Sequence, residues 1–228
     1  MKAFAFVGSM RGTKSNGYRK VKEFLDMPYW KEYEKEIITA DMVEISRCRG
    51  CSACFTKGIC MQDQKDDMQK IKQKLLEADV IILASPVYLH QVSGAMKDFV
   101  DRISYWTHIF RLIGKRAIVF SVSGTNGNEY VDSYLKKVLT TMGCYVAGCM
   151  DIQINKEDYK EEFNEVIEKL EQSFQHPEQC KPTAFQQELY DTFRNRYIID
   201  EVGCEAAYWF SQGYFQYDSF EQLLKAYL

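Results

Sequence analysis

The sequence predicts an α/β protein built on a doubly wound parallel sheet. Three observations lead to that class: five compact apolar runs, helix-period segments alternating with them, and small polar loops where the runs end. Runs apolar on both faces belong to strands sandwiched between helix layers.

The first run, AFAFVGS (residues 3–9), ends in Gly and Ser and reads as a buried strand entering a loop. A helix is expected from Asn16 to Phe24, interrupted beyond that by Pro28. EIITA (36–40) is a short second strand that leads into a cysteine-rich loop. In KDDMQKIKQKLLEA, Met68, Ile71, Leu75 and Leu76 share one helical face, with Asp66 and Asp67 at the helix start. DVIILASP (79–86) is a third strand, stopped by Pro86. SGAMKDFVDRISYW is an amphipathic helix that should bury Met96, Phe99, Val100 and Ile103. KRAIVFSVSG is the fourth strand, residues 128–142 the next helix, and CYVAGCMDIQI the fifth strand. A polar helix over 156–174 closes a first domain of residues 1–175.

After HPEQCKP (176–182) the composition turns aromatic-rich and charge-mixed. AFQQELYDTFRNRYIIDEVGCEAAYWF and DSFEQLLKAYL read as helices of a C-terminal extension, residues 176–228. The apolar surface of residues 184–228 exceeds what a short appendage buries by itself. A homo-oligomer, at least a dimer, is therefore expected; the alternative is a tail folded wholly onto its own subunit.

Bulk composition excludes several function classes. With 46% hydrophobic and 27% charged residues, the 228-residue chain has the balance of a soluble globular protein. A net charge of −3 and the lack of a basic block give no argument for nucleic acid or a membrane surface. MKAFAFVGSMRG has too short an apolar run for a signal peptide, and no stretch is long enough to span a bilayer. Eight cysteines without an export signal point to a reducing compartment, so the cytoplasm is expected. Cys144, Cys149, Cys180 and Cys204 lie in strand or helix contexts and are expected to be buried small residues.

In open α/β sheets, ligands bind outside the carboxyl ends of the strands. The loop after the first strand, GSMRGTKSNG (8–17), offers helix-start amides with Ser9, Ser15 and Asn16, and Arg11 adds charge, so it is suited to a phosphate. It has neither the GxGxxG spacing nor the GK[ST] ending of nucleotide loops. SPVY (85–88) supplies an apolar turn with an aromatic face, and SVSGTNGN (121–128) a loop able to approach a planar ring with backbone amides. Each loop alone has an ordinary structural reading as a cap, a strand stop or a turn. Together, in order, they favour a phosphate-plus-ring site. His90 borders this region, whereas His108 and His176 fall outside the motif loops.

CRGCSACFTKGIC places Cys48, Cys51 and Cys54 at every third position and Cys60 after a gap of five. Zinc sites generally separate two CxxC pairs more widely; this spacing is closer to loops that wrap a cubane cluster. Reduced thiols or a labile disulfide remain alternatives.

GSMRGTKSN, CRGCSAC…GIC…DDM, SPVY…SGAMKDFVDR and SGTNG, in this order, resemble the NADPH-dependent FMN reductase branch of the flavodoxin-like superfamily. Within it they resemble the iron–sulfur flavoproteins, over about residues 1–175. The resemblance implies a five-stranded sheet of order 2-1-3-4-5 with FMN at its switch point. It implies Ser9, Arg11, Ser15 and Asn16 around the phosphate, and Pro86, Val87 and Tyr88 against the isoalloxazine. Ser123, Gly124, Thr125 and Gly127 would lie on the other edge, and Cys48, Cys51, Cys54 and Cys60 would hold a 4Fe–4S cluster near the flavin. The GTK of the first loop departs from the family's shorter arginine loop. The implied chemistry is electron transfer from NAD(P)H, or from a reduced ferredoxin-like carrier, to a small acceptor such as a quinone or flavin. Flavin carries that chemistry itself, so no catalytic side chain is required. A non-enzymatic electron carrier or redox-sensing protein would use the same site.

Overall fold

Alternation within the apolar runs decides which helix layer each side chain meets. The structure is a computed structural model that describes residues 1–199 and 203–228. Its strands are β1 (Lys2–Val7), β2 (Glu34–Thr39), β3 (Val80–Pro86), β4 (Arg116–Ser123) and β5 (Tyr145–Gln153). They form one parallel sheet of order β2-β1-β3-β4-β5. The expected doubly wound, flavodoxin-like α/β fold is the one observed.

Ala3, Ala5 and Val7 of β1, with Val80, Ile82 and Ala84 of β3, face α1 (Asn16–Leu25) and α6 (Lys160–Gln175). Phe4, Phe6, Ile81 and Leu83 face α3 (Met68–Glu77), α4 (Gly94–Arg102) and α5 (Asn128–Thr141). Phe6 stacks on Phe99 of α4 at 4.3 Å between ring centroids. Met96, Phe99, Val100 and Ile103 are all buried, as their spacing predicts. The path from β2 to α3 is the cysteine segment, which holds a 3-10 turn at Ala40–Met42 and the short α2 (Ala53–Lys57).

Two boundaries differ from the sequence reading. α4 ends at Arg102, and Ser104–Ile109 tightens into 3-10 helix. The helix expected from 156 begins at Lys160, because the buried Tyr159 ring turns back on the strand end. Its hydroxyl donates to the Gln153 carbonyl at 2.9 Å and accepts from the Gln153 amide at 2.6 Å. Among the four cysteines expected to be buried, Cys144 and Cys180 are, but Cys149 and Cys204 are partly exposed. Cys149 lies on the edge strand β5, and Cys204 begins a surface helix.

The extension holds α7 (Ala184–Ile199), α8 (Cys204–Ser211) and α9 (Phe220–Tyr227). Residues 200–202, within the span read as helical, lie outside the described residues. Much of the tail's aromatic surface packs within the chain, while Phe185, Ile198, Ile199, Phe210 and Tyr227 stay exposed. Tyr190, Trp209, Tyr214, Phe220, Leu223 and Leu224 are buried in the same core as Phe99, Val131 and Leu135. Trp209 stacks on Tyr190 at 5.3 Å and donates its indole N–H to the His108 carbonyl at 3.0 Å. Gln186 donates to the Thr140 carbonyl at 2.9 Å, fixing α7 to the end of α5. Part of the aromatic surface that suggested a second copy is thus covered by the chain's own sheet layer. Among the described residues, no helix is long and apolar enough to cross a membrane.

Because the tail is core, Trp209→Ala should destabilise the whole protein by about 3–5 kcal/mol, the usual cost of emptying a buried tryptophan site. Urea unfolding followed by far-UV circular dichroism measures this; a loss below about 1 kcal/mol would show the tail to be peripheral.

Candidate functional site

The loops after β1, β3 and β4 meet where the strand order reverses, between β1 and β3. The first loop is held close to its neighbours by its glycines. Gly8 donates its amide to the Ala84 carbonyl at 2.8 Å and accepts the Ser93 hydroxyl at its own carbonyl. A side chain at Gly8 would lie 2.6 Å from Met96 Cβ, so only glycine allows α4 to approach this closely. The inserted GTK folds into a 3-10 turn, Gly12–Lys14, with Gly12 at φ +56° against Asp41.

Ser15 then caps α1. Its Oγ accepts from the Tyr18 amide at 3.1 Å and donates to the Gly12 carbonyl at 2.7 Å. The first turn of α1 contains no acidic residue, so its positive dipole end is not neutralised within the helix. Ser9 is also buried, and its Oγ accepts from the Arg11 amide at 3.3 Å.

A cleft of about 170 Å³ opens beside this helix end. Ser9, Arg11, Ser15 and Asn16 line one part, Pro86, Val87 and Tyr88 another, and Ser123 and Gly124 a third. Tyr88 remains 56% exposed, leaving its ring accessible at the mouth. Three further lining residues, Gly17, Val122 and Ile154, were absent from the sequence-derived set. Their signal was positional: each sits in, or next to, a strand-end loop.

Thr125 and Gly127 are not brought into the cleft wall. Thr125 is exposed one residue beyond Gly124. Gly127 is a buried turn residue with φ +89°, where an added Cβ would meet His90 Cδ2 at 2.7 Å and Val87 Cγ1 at 3.0 Å. It lets the two ring-side loops pack together. His90 stacks on Tyr130 at 5.3 Å, so it braces that junction.

The cleft suits a phosphorylated planar ring such as FMN on two counts. Ser123 Oγ is buried in the wall without a hydrogen-bond partner, available to a polar ring edge. An added Cβ at Gly124 would meet only Ile154, at 3.8 Å, so bare backbone faces open space there. A larger groove of about 390 Å³ lies along β5 and α6. Its wall includes Asp151, Glu162 and Glu165 but none of the phosphate-loop residues.

The cysteine loop is a separate feature. None of its four cysteines lines the cleft. Cys48 and Cys51 are exposed, while Cys54 and Cys60 are half-buried. Burial pushes the Cys54 thiol above its ordinary pKa, and neighbouring Cys60 and Cys48 add to the shift. Among the described residues, however, no three Cys, His, Asp or Glu side chains gather closely enough to hold a metal ion. In this arrangement the four sulfurs do not fit a cubane cluster.

Behind the ring-side loop, Asn128 donates to the Ser121 carbonyl and hydroxyl, both at 3.0 Å, and spans towards the Ile152 carbonyl of β5. Asp132 lies one turn further along α5. Burial pushes its carboxyl up to about 6, with Asp151 and Glu129 adding repulsion and the Ser121 hydroxyl opposing it.

Comparison with known proteins follows the same lines. The sequence pattern of the family described as NADPH-dependent FMN reductase matches residues 1–172. An iron–sulfur flavoprotein of Archaeoglobus fulgidus is 35% identical over 154 residues, which cover 65% of this chain and 66% of that relative. An FMN-dependent NADH:quinone oxidoreductase of Xanthomonas axonopodis pv. citri is 28% identical over 33% of this chain and 46% of its own length. Among solved structures, RosB with bound 8-demethyl-8-formylriboflavin-5′-phosphate superposes with a TM-score of 0.61 at 16% identity. That match covers 89% of both chains and shows a shared fold.

Asp132 generates a pH prediction. Its folded pKa is raised, so the folded form holds the proton more tightly than the unfolded one. The associated stability is complete below about pH 4 and is lost as pH rises through about 6. Asp132→Asn should therefore stabilise the protein at pH 8 by on the order of 1–2 kcal/mol, with the advantage vanishing near pH 4. Denaturant titrations at the two pH values measure the difference, and an equal effect at both would refute the assignment.

Proposed function

The chain belongs to the NADPH-dependent FMN reductase family, and from that premise we propose that it is an FMN-dependent oxidoreductase. In this reading it passes electrons from NAD(P)H, or from a reduced carrier, to a small acceptor such as a quinone or flavin. The observation that carries the reading is the cleft at the β1/β3 switch. It joins an uncompensated helix N-terminus to a cleft of about 170 Å³ with an unsatisfied hydroxyl in its wall.

Bound FMN would supply the two-electron chemistry, and the protein's residues would orient and shield it. The α1 amides, with Ser9 and Asn16, would hold the phosphate, and Arg11 would add charge from the rim. Pro86, Val87 and Tyr88 would support one side of the ring, and Ser123 with the Gly124 backbone would meet its polar edge. Tyr88 at the mouth would leave one approach open for donor and acceptor in turn. Gly127 and the His90–Tyr130 stack act behind this wall by holding its two loops together.

The quinone acceptor in the name of the Xanthomonas relative supports the acceptor class. Among the described residues the cysteine sulfurs form no group that could hold a metal ion. A cluster on this loop would draw its ligands from Cys48, Cys51, Cys54 and Cys60. It would register as about four iron and four acid-labile sulfide per chain after anaerobic reconstitution, both lost in Cys51→Ser.

Mass analysis of ligand released from native protein should identify FMN; FAD or no flavin would overturn the cofactor assignment. Replacing Ser9 and Asn16 together by alanine should weaken FMN binding about 10- to 100-fold, the range expected for losing hydrogen bonds to a charged phosphate. Isothermal titration measures that loss, and the thermal midpoint of the flavin-free protein should barely change.

Steady NAD(P)H oxidation by the flavin-loaded protein with a quinone would support the enzyme reading. Reduction only by a ferredoxin-like donor, without turnover of small acceptors, would favour the electron-carrier reading instead. Cys51→Ser should retain FMN in full, since that thiol is outside the cleft.

A further inference from the structure

Residues 43–67 cross from β2 to α3 with one five-residue helix as their regular structure. Gly50, Ser52 and Gly58 adopt left-handed backbone within them. The segment's internal hydrogen bonds are those of single turns and of contacts between its two ends, and a segment with so little regular structure opens readily unless something outside it holds it. The chain places a buried charge cluster at that point.

Arg102, the last residue of α4, has a side chain with 0% exposure. One terminal nitrogen donates to the Ser46 carbonyl at 2.9 Å and pairs with Asp66. The other donates to Asp63 Oδ1 at 2.7 Å and to Asp66 Oδ1 at 3.2 Å. Asp66 is likewise 0% exposed and accepts the Ser46 and Met68 amides, each at 3.0 Å. Asp63 also binds Lys72 Nζ at 2.6 Å, so two cations balance two carboxylates. Balanced, hydrogen-bonded charge can be buried where a lone ion cannot.

The contacts bracket the thiols. Ser46 lies two residues before Cys48, and Asp63 three after Cys60. A planar guanidinium reaches both ends at once, which a lysine ammonium cannot do with the same geometry. At the opposite end of α4, Ser93 caps the helix and donates to the Gly8 carbonyl. The nine residues of α4 make a rod about 13 Å long between the cysteine loop and the phosphate-type loop.

We propose that Arg102 is the positioning residue of the cysteine loop, fastening both ends of segment 46–66 to the helix that also fixes Gly8. Apolar burial elsewhere in α4 holds the helix in place; Arg102 holds the loop to the helix. The inference concerns where the thiols are kept and does not depend on which cofactor or substrate the protein uses.

Hydrogen–deuterium exchange with peptide resolution on the purified full chain tests it. Arg102→Met combined with Asp66→Asn removes both charges and leaves no buried ion unpaired between them. Exchange within 46–66 should then rise about tenfold or more, while peptides from β1, β3, β4 and loop 8–17 keep their parent rates. Arg102→Lys, which keeps the charge but loses the fork, should fall between parent and double variant. Asp63→Asn, which leaves the Arg102–Asp66 pair, should give a smaller rise, equally confined to 46–66, and decides the matter if the double variant does not fold. Unchanged exchange in 46–66, or a rise shared equally by the sheet, would overturn the proposal.

Discussion

Burial of the parallel sheet on both faces is the constraint from which the rest of this structure follows. Parallel neighbours cannot be joined by tight hairpins, so each strand must be followed by a crossover. The crossover helices α3, α4 and α5 cover one face, and α1, with α6 that follows the last strand, covers the other. Every strand then releases its chain at the same edge, and at the β1/β3 reversal the loops diverge to leave a cleft. The site is a consequence of sheet topology before it is a property of its side chains. What the side chains add is closeness: Gly8 admits α4, and Gly127 admits His90 and Val87.

Two buried arginines show how differently regular and irregular segments are secured. Arg116 starts β4 at the amino-terminal edge, where it donates to the Ser173 carbonyl at 2.6 Å and the Gly114 carbonyl at 2.9 Å. It also lies over the Phe174 ring at 4.2 Å. The Ser173 and Gly114 carbonyls are neutral acceptors, and burial holds the Arg116 pKa below the ordinary arginine value. Arg102 instead meets two carboxylates of the cysteine segment, at the end of α4 away from Gly8. Carbonyl partners suit a junction between regular elements that are already fixed. Carboxylates supply the stronger, charge-assisted contacts that an irregular segment needs.

The C-terminal extension belongs to this division as well. Its aromatic residues enlarge one helix layer, and its polar contacts reach the loop end: His108 Nδ1 and the Tyr197 hydroxyl both meet the Glu205 carboxylate at 2.8 Å. The Cys204 sulfur lies 3.1 Å from the Phe55 carbonyl of α2, and the Phe55 ring lies 5.0 Å from that of His108. The outer side of the cysteine segment therefore rests on a tail that lies beyond the matched family region of residues 1–172.

The sequence by itself determined the five strands, their helices and the class of sheet, because burial on two faces leaves continuous apolar runs that local periodicity exposes. It also pointed to most of the cleft, since Ser9, Asn16, Tyr88 and Ser123 sit in small polar or aromatic loops directly after those runs. Tertiary structure alone decided the destination of the tail. An apolar helix face looks the same whether it meets its own sheet or another copy, and only the packing of Trp209 and Phe220 into the core distinguishes them. It likewise separated Gly127 from Gly124: both are loop glycines in sequence, but only one has His90 against the place a Cβ would occupy. The arrangement of the cysteine sulfurs and the link from Arg102 to Asp63 and Asp66 were hidden for the same reason. Side chains separated by 36 or 39 positions meet through the path of the whole chain, and no local spacing records that path.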